Sequence, residues 1–248
     1  MSFKVSIKFV PLLLLGLLIM SLSNCNKEKT NPTLVAGNLQ LNFNHFFKTD
    51  TLKFTPITFI TKANDTLKLT DLMYYISNIT LTKSDGSTWN SHNYALVNAQ
   101  SPEAINIANV PAGDYTKISF LLGVDSVNNH TLNHNETALD PSRGMAWSWL
   151  TGYIFFRIKG YFNNHLGMSF DIGGDQNLLT MNYSLTNFHV ENNTKTLDFK
   201  VDVNKMFEDP NTYDLKTQVT SIHTPNDPEI ALFNANISNG MYTLTSVK

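Results

Sequence analysis

The 248-residue chain has a single cysteine, and charged residues make up only 15% of it. One thiol excludes a disulfide framework and every metal cluster built from cysteine thiolates. Eighteen Lys and Arg against twenty Asp and Glu leave a net charge of −2. That excludes the basic surface a nucleic-acid-binding protein needs. Aromatics reach 11%, more than a disordered, charge-rich chain carries. Catalytic signatures are missing too: no Gly-x-Ser-x-Gly elbow, no phosphate-cradling glycine loop, no His-Glu-x-x-His helix. No enzyme activity is therefore expected. Polarity comes instead from 30 Asn and 26 Thr. Threonine favours strands and asparagine favours turns, so the composition leans towards an all-β protein with many loops.

The amino terminus reads as a targeting segment. Lys4 and Lys8 precede an apolar run over residues 10–20, which is too short to span a bilayer comfortably. The run closes on Leu22-Ser23-Asn24-Cys25, which resembles a bacterial lipoprotein signal cleaved before a lipid-modified cysteine. On that reading residues 1–24 are a signal peptide, and Cys25 with residues 26–37 is a lipidated tether. The anchor would be stable because two acyl chains share one residue. Losing Lys4 and Lys8 leaves 16 basic against 20 acidic groups, a net charge of −4. The expected location is the bacterial cell envelope, outside the cytoplasm, at an outer-membrane, periplasmic or surface face.

From residue 38 to the end, period-two patterns dominate. Leu39, Leu41, Phe43, His45 and Phe47 share one strand face, and Gln40, Asn42 and Asn44 the other. Further strands are expected over 52–60, 74–83, 115–124, 153–162, 166–172, 178–185, 197–203 and 241–247, with short helices over 204–208 and 229–237. No linker divides this stretch. The expected fold is one β-sandwich, immunoglobulin-like or jelly-roll-like, over 38–248 with long inserted loops. The longest loop, 125–151, carries two of the three tryptophans and two of the seven histidines. A loop of that length is functional or disordered, and Met145, Trp147 and Trp149 argue for order.

Without thiolates, a transition-metal site here would draw on imidazole, carboxylate or thioether, and imidazole suits copper. His130 and His134 are spaced i, i+4, but the surrounding asparagines break a helix, so a solvated pair is the simpler reading. Alternation buries His45 between Phe43 and Phe47, where an imidazole needs a hydrogen-bond partner or a metal. In an extended segment Trp147 and Trp149 project to one side. They serve as core anchors, or as an exposed aromatic platform for a glycan or a partner protein.

Several strings are familiar together. They are Val110-Pro111-Ala112-Gly113-Asp114-Tyr115, Leu122-Gly123-Val124-Asp125, Leu139-Asp140-Pro141, and Gly144-Met145-Ala146-Trp147-Ser148-Trp149 with Gly152-Tyr153. With His45, His165 and His223 in order around them, the chain resembles the MbnP-like copper-binding proteins over roughly residues 38–245. The resemblance implies a β-rich extracytoplasmic protein that binds one copper ion through His45, His165 and His223. It also implies Trp147 or Trp149 as a candidate for oxidation to kynurenine by a MauG-like di-haem peroxidase. The alternative remains a surface lipoprotein with an aromatic platform. Burial separates the two: sealed tryptophans with converging histidines favour copper, and exposed aromatics with scattered histidines favour the platform.

Overall fold

In the computed structural model, residues 1–3, 35–135, 137–163 and 165–248 are described. The signal segment and the Cys25 lipidation site lie outside the described residues. One compact unit spans residues 34–248.

Strands form where apolar residues alternate. They are β1 (Gly37–Phe47), β2 (Asp50–Thr51), β3 (Phe59–Ile60), β4 (Thr66–Lys83), β5 (Thr88–Asn90), β6 (Tyr94–Asn98), β7 (Ile105–Val110) and β8 (Gly113–Leu122). A loop with the single turn α1 (Ser126–Asn129) leads to β9 (Ile154–Phe162) and β10 (Leu166–Gly173). The chain then runs through β11 (Leu179–Val190), β12 (Thr194–Asp202), β13 (Ser221–Ile222), α2 (Ile230–Ser238) and β14 (Tyr242–Val247). No helix among the described residues is long and apolar enough to cross a membrane.

The strands make two sheets, as expected for a sandwich. One runs β14-β12-β1-β2, with β7 also on β1, and its β1–β12 pair is parallel. The larger sheet runs β11-β8-β4-β9-β10-β13, with β3, β5 and β6 along the long β4. Inner faces interdigitate into one core. Leu41 and Phe43 from β1, Phe199 from β12, Tyr74 from β4 and Phe120 from β8 are all buried there. Phe43 lies flat on Phe199 at 5.1 Å between ring centres and edge-on to Phe120 at 5.7 Å. A smaller core under the 125–153 loop joins Tyr75, Met145, Trp147, Tyr153 and Phe155.

Four expectations shift. The strand expected over 52–60 is reduced to β3 at its far end, because Pro56 has no backbone N–H to give a ladder. β4 starts eight residues earlier than expected. A register shift between Leu69 and Asp71 lets Leu69 and Leu72 both face inward, breaking the simple alternation. The short helix expected at 204–208 is a 3₁₀ turn, Val203–Phe207. The helix expected over 229–237 is α2, one residue displaced.

Candidate functional site

The 125–153 loop is held by polar contacts rather than by regular structure. Asp125 caps α1 by accepting from Asn128 N at 3.2 Å, and it also binds Asn78 and the Tyr94 hydroxyl. Buried Asn129 accepts from Tyr153 N at 2.8 Å and donates to Asp175 at 2.7 Å. The buried Tyr153 hydroxyl donates to Leu139 O at 2.7 Å. Trp147 N donates to Gly152 O, and Ile154 N to Met145 O, closing a short hairpin at the mouth of β9.

That hairpin presents the two tryptophans differently. Trp147 is 4% exposed and Trp149 64% exposed, with ring centres 5.4 Å apart. Trp147 lies over Gly173 of β10. A Cβ there would sit 2.4 Å from Tyr153 O and 3.2 Å from the indole, so only glycine admits this packing. The two rings wall a pocket of about 330 Å³ whose floor holds Arg157, Lys159, Asp171 and His223.

The floor follows from strand register. Arg157 of β9 pairs with Asp171 of β10, and parallel pairing of Ser169 and Phe170 with Ser221 and Ile222 delivers His223 beside them. Asp171, 5% exposed in its side chain, accepts from Arg157 Nε at 2.6 Å. Its other oxygen lies 3.3 Å from His223 Nδ1 and 3.9 Å from Lys159 Nζ. Arg157 also donates to Gly144 O at 2.8 Å, tying the floor to the loop. Across β9, burial raises the Asp71 carboxyl above the usual carboxylate range, while Arg157 and Lys159 oppose the rise. A histidine oriented through Nδ1 by a carboxylate keeps Nε2 for a ligand.

The other two ligand candidates lie elsewhere. His45 faces the core, 6% exposed, with Nε2 2.9 Å from the Tyr74 hydroxyl. Burial lowers its pKa to about 4, so it is neutral at physiological pH. His165 stands exposed in the β9–β10 turn at φ 71°, its ring 6.3 Å from Tyr161. Among the described residues no group of three or more His, Cys, Asp or Glu side chains could hold a metal ion. The three-histidine set therefore does not fit one ion in this structure. Strand alternation placed His45 correctly on the buried face, but the residues that neighbour it there are aromatic. His130 and His134 do not act as a pair either. His130 contacts Asp175 at 2.8 Å, whereas the His134 ring lies 6.4 Å from Tyr153 with its Nε2 buried and without a hydrogen bond.

Sequence reasoning missed Asp171 and Arg157. Their signal was present as one lone acid in an otherwise apolar strand segment, opposite two bases spaced i, i+2 on the preceding strand.

Three comparisons bear on this architecture. No curated protein matches the chain. Among solved structures, MbnP from Methylosinus trichosporium is similar, with a TM-score of 0.51 and 13% sequence identity. The match covers 84% of this chain and 97% of that one, and at such identity it speaks to the fold. The description of the MbnP family matches residues 36–225, which take in every strand but β14, the tryptophan loop and His223. The chain belongs to the MbnP family.

Proposed function

We propose that this is an extracytoplasmic copper-binding protein, a binder rather than an enzyme, tethered to the cell envelope through lipid on Cys25. Its working site is the tryptophan pocket rather than a three-histidine centre. The observation that carries this is the meeting of Trp147, Trp149 and a carboxylate-oriented His223 in one pocket. His223 Nε2 supplies one nitrogen donor. A second donor would come from the amine that kynurenine formation creates on one indole, the modification the family resemblance implies for a di-haem peroxidase partner. Copper, when bound, would supply a redox-active Lewis acid at this surface; the chain's part is to orient His223 and to shield Trp147.

The test compares copper uptake by full-length protein purified from its native envelope with His223→Ala, His45→Gln and His165→Ala variants. Loss of copper in His223→Ala alone supports the pocket, and retention of copper in that variant overturns it. Peptide mapping of the same samples should show one indole that has lost a carbon and gained an oxygen.

A second reading is favoured by the separation of His45, His165 and His223 and by the exposure at the pocket rim. Trp149, 64% exposed, and its neighbour Leu150, 44% exposed, form an apolar projection at the pocket rim. Exposed aromatics beside polar groups suit a glycan or a partner protein. Unaltered indoles and no copper uptake would favour this reading over the first.

A further inference from the structure

The outer face of β9 and β10 carries chemistry beyond the tryptophan pocket. Along β9, Arg157, Lys159 and Tyr161 alternate outward, while Ile158, Gly160 and Phe162 are buried. Tyr161 pairs in register with Lys68 of β4 on one side and Gly167 of β10 on the other. A Cβ at Gly167 would meet nothing within 4 Å, so the space beside Tyr161 is open. Tyr161 is 44% exposed and lines a second pocket of about 230 Å³ with Thr66, Lys68, Asn163 and His165. The face therefore has an aromatic ring at each end, Trp149 and Tyr161, with polar groups between. Arg157 and Tyr161 are four residues apart on one strand, which corresponds to about 13 Å.

The charges between the rings are lopsided. Arg157 and Lys159 face the two carboxylates Asp71 and Asp171, and Lys68 stands beside Tyr161 on the same face, in a chain whose net charge is −2. Asp171 is spent mainly on Arg157 at 2.6 Å and stands 3.9 Å from Lys159. Lys68 makes no ion pair with the described residues. Two lysines thus keep donors available on a face that is locally positive, and such a face attracts an anion.

We propose that this face is a two-subsite binding surface for an acidic oligosaccharide. One sugar stacks on Trp149 in the pocket floored by Lys159. A later unit stacks on Tyr161 beside Lys68, and the intervening carboxylates face the lysines. A sugar chain suits the pattern because it offers flat C–H faces at intervals, with hydroxyls and carboxylates between them. A peptide anchor would call for a continuous apolar groove. The proposal rests on the platform reading above and extends it from one aromatic site to two.

The experiment is calorimetric titration of full-length protein in detergent, kept metal-free with EDTA, against oligogalacturonides of two, four and six units. Affinity should rise about tenfold from the shortest to the longest, roughly the gain of one modest second contact. Tyr161→Ala should abolish that gain and leave the shortest ligand unaffected, whereas Trp149→Ala should weaken all three. Raising salt from about 50 mM to about 500 mM should weaken binding, because screening acts on exposed lysines. Neutral xylo-oligosaccharides of equal length should bind about tenfold more weakly. Binding that ignores length, or survives unchanged in Tyr161→Ala, overturns the second subsite while the platform reading stands. Equal, salt-insensitive binding of neutral chains overturns the acidic class. No binding of either kind overturns the proposal and the glycan form of the platform reading together.

Discussion

His45 offers a quantitative check on the core geometry. Its imidazole is 6% exposed, touches the Tyr74 hydroxyl, and has its pKa lowered to about 4 by burial. In the unfolded chain the same group titrates near 6.5. Between those two values the unfolded chain binds more protons than the native one, so stability rises with pH across that window. The contribution is fully present above about pH 6.5 and is lost as pH falls towards 4. The gap corresponds to about 3 kcal/mol at about 1.4 kcal/mol per pH unit, of which about 2 kcal/mol is gone by pH 5. Urea denaturation of the full-length protein at pH 7.5 and pH 5, followed by circular dichroism, measures the loss. Carboxylates titrate over the same range, so the informative quantity is the difference between wild type and His45→Gln. Glutamine keeps a polar partner for Tyr74 but cannot titrate. Wild type should lose about 2 kcal/mol more than the variant on acidification. Equal losses would mean that His45 does not sit neutral in the core, and the reasoning fails.

Two further substitutions test the pocket. Gly173→Ala places a methyl 2.4 Å from Tyr153 O, so it should cost about 1–3 kcal/mol and displace the Trp147 indole. Thermal unfolding and a red-shifted tryptophan emission would report both effects, and an unchanged spectrum would contradict the packing. Asp171→Asn should destabilise by about 3 kcal/mol, because it leaves the Arg157 guanidinium without its buried counter-charge. Lys159→Ala, at 3.9 Å and one-third exposed, should cost less than about 0.5 kcal/mol. Denaturation midpoints that move equally for these two variants would remove Asp171 from its central place.

How much was legible depended on how local each signal was. The β1 face, with Leu39, Leu41, Phe43, His45 and Phe47 all inward, was readable because side-chain direction alternates with the backbone itself. The α2 segment was expected over 229–237 and forms one residue later, over Ile230–Ser238. β4 was harder: its outward-to-inward rhythm changes at the register shift near Asp71, and periodicity cannot anticipate a bulge. The strand expected over 52–60 failed at Pro56, where alternation suggested a ladder that proline cannot supply.

The site shows the same division. Trp147 and Trp149 are two residues apart, and their opposite fates come from Gly173 and Tyr153, which are distant or across the hairpin. His223 and Asp171 are 52 residues apart and meet only because β13 adds in parallel to β10. His45, His165 and His223 all had suitable chemistry, and strand placement sent them to a core, a turn and a pocket.

The sequence by itself determined the fold class and the family, because alternation, turn residues and the Gly-Met-x-Trp-x-Trp string are local properties of the chain. Which tryptophan is sealed, which histidine meets a carboxylate, and which cations share an outer face were decided by tertiary structure alone. The physical reason is register: sheet pairing joins residues far apart in the chain, and nothing in their own neighbourhoods records the partner.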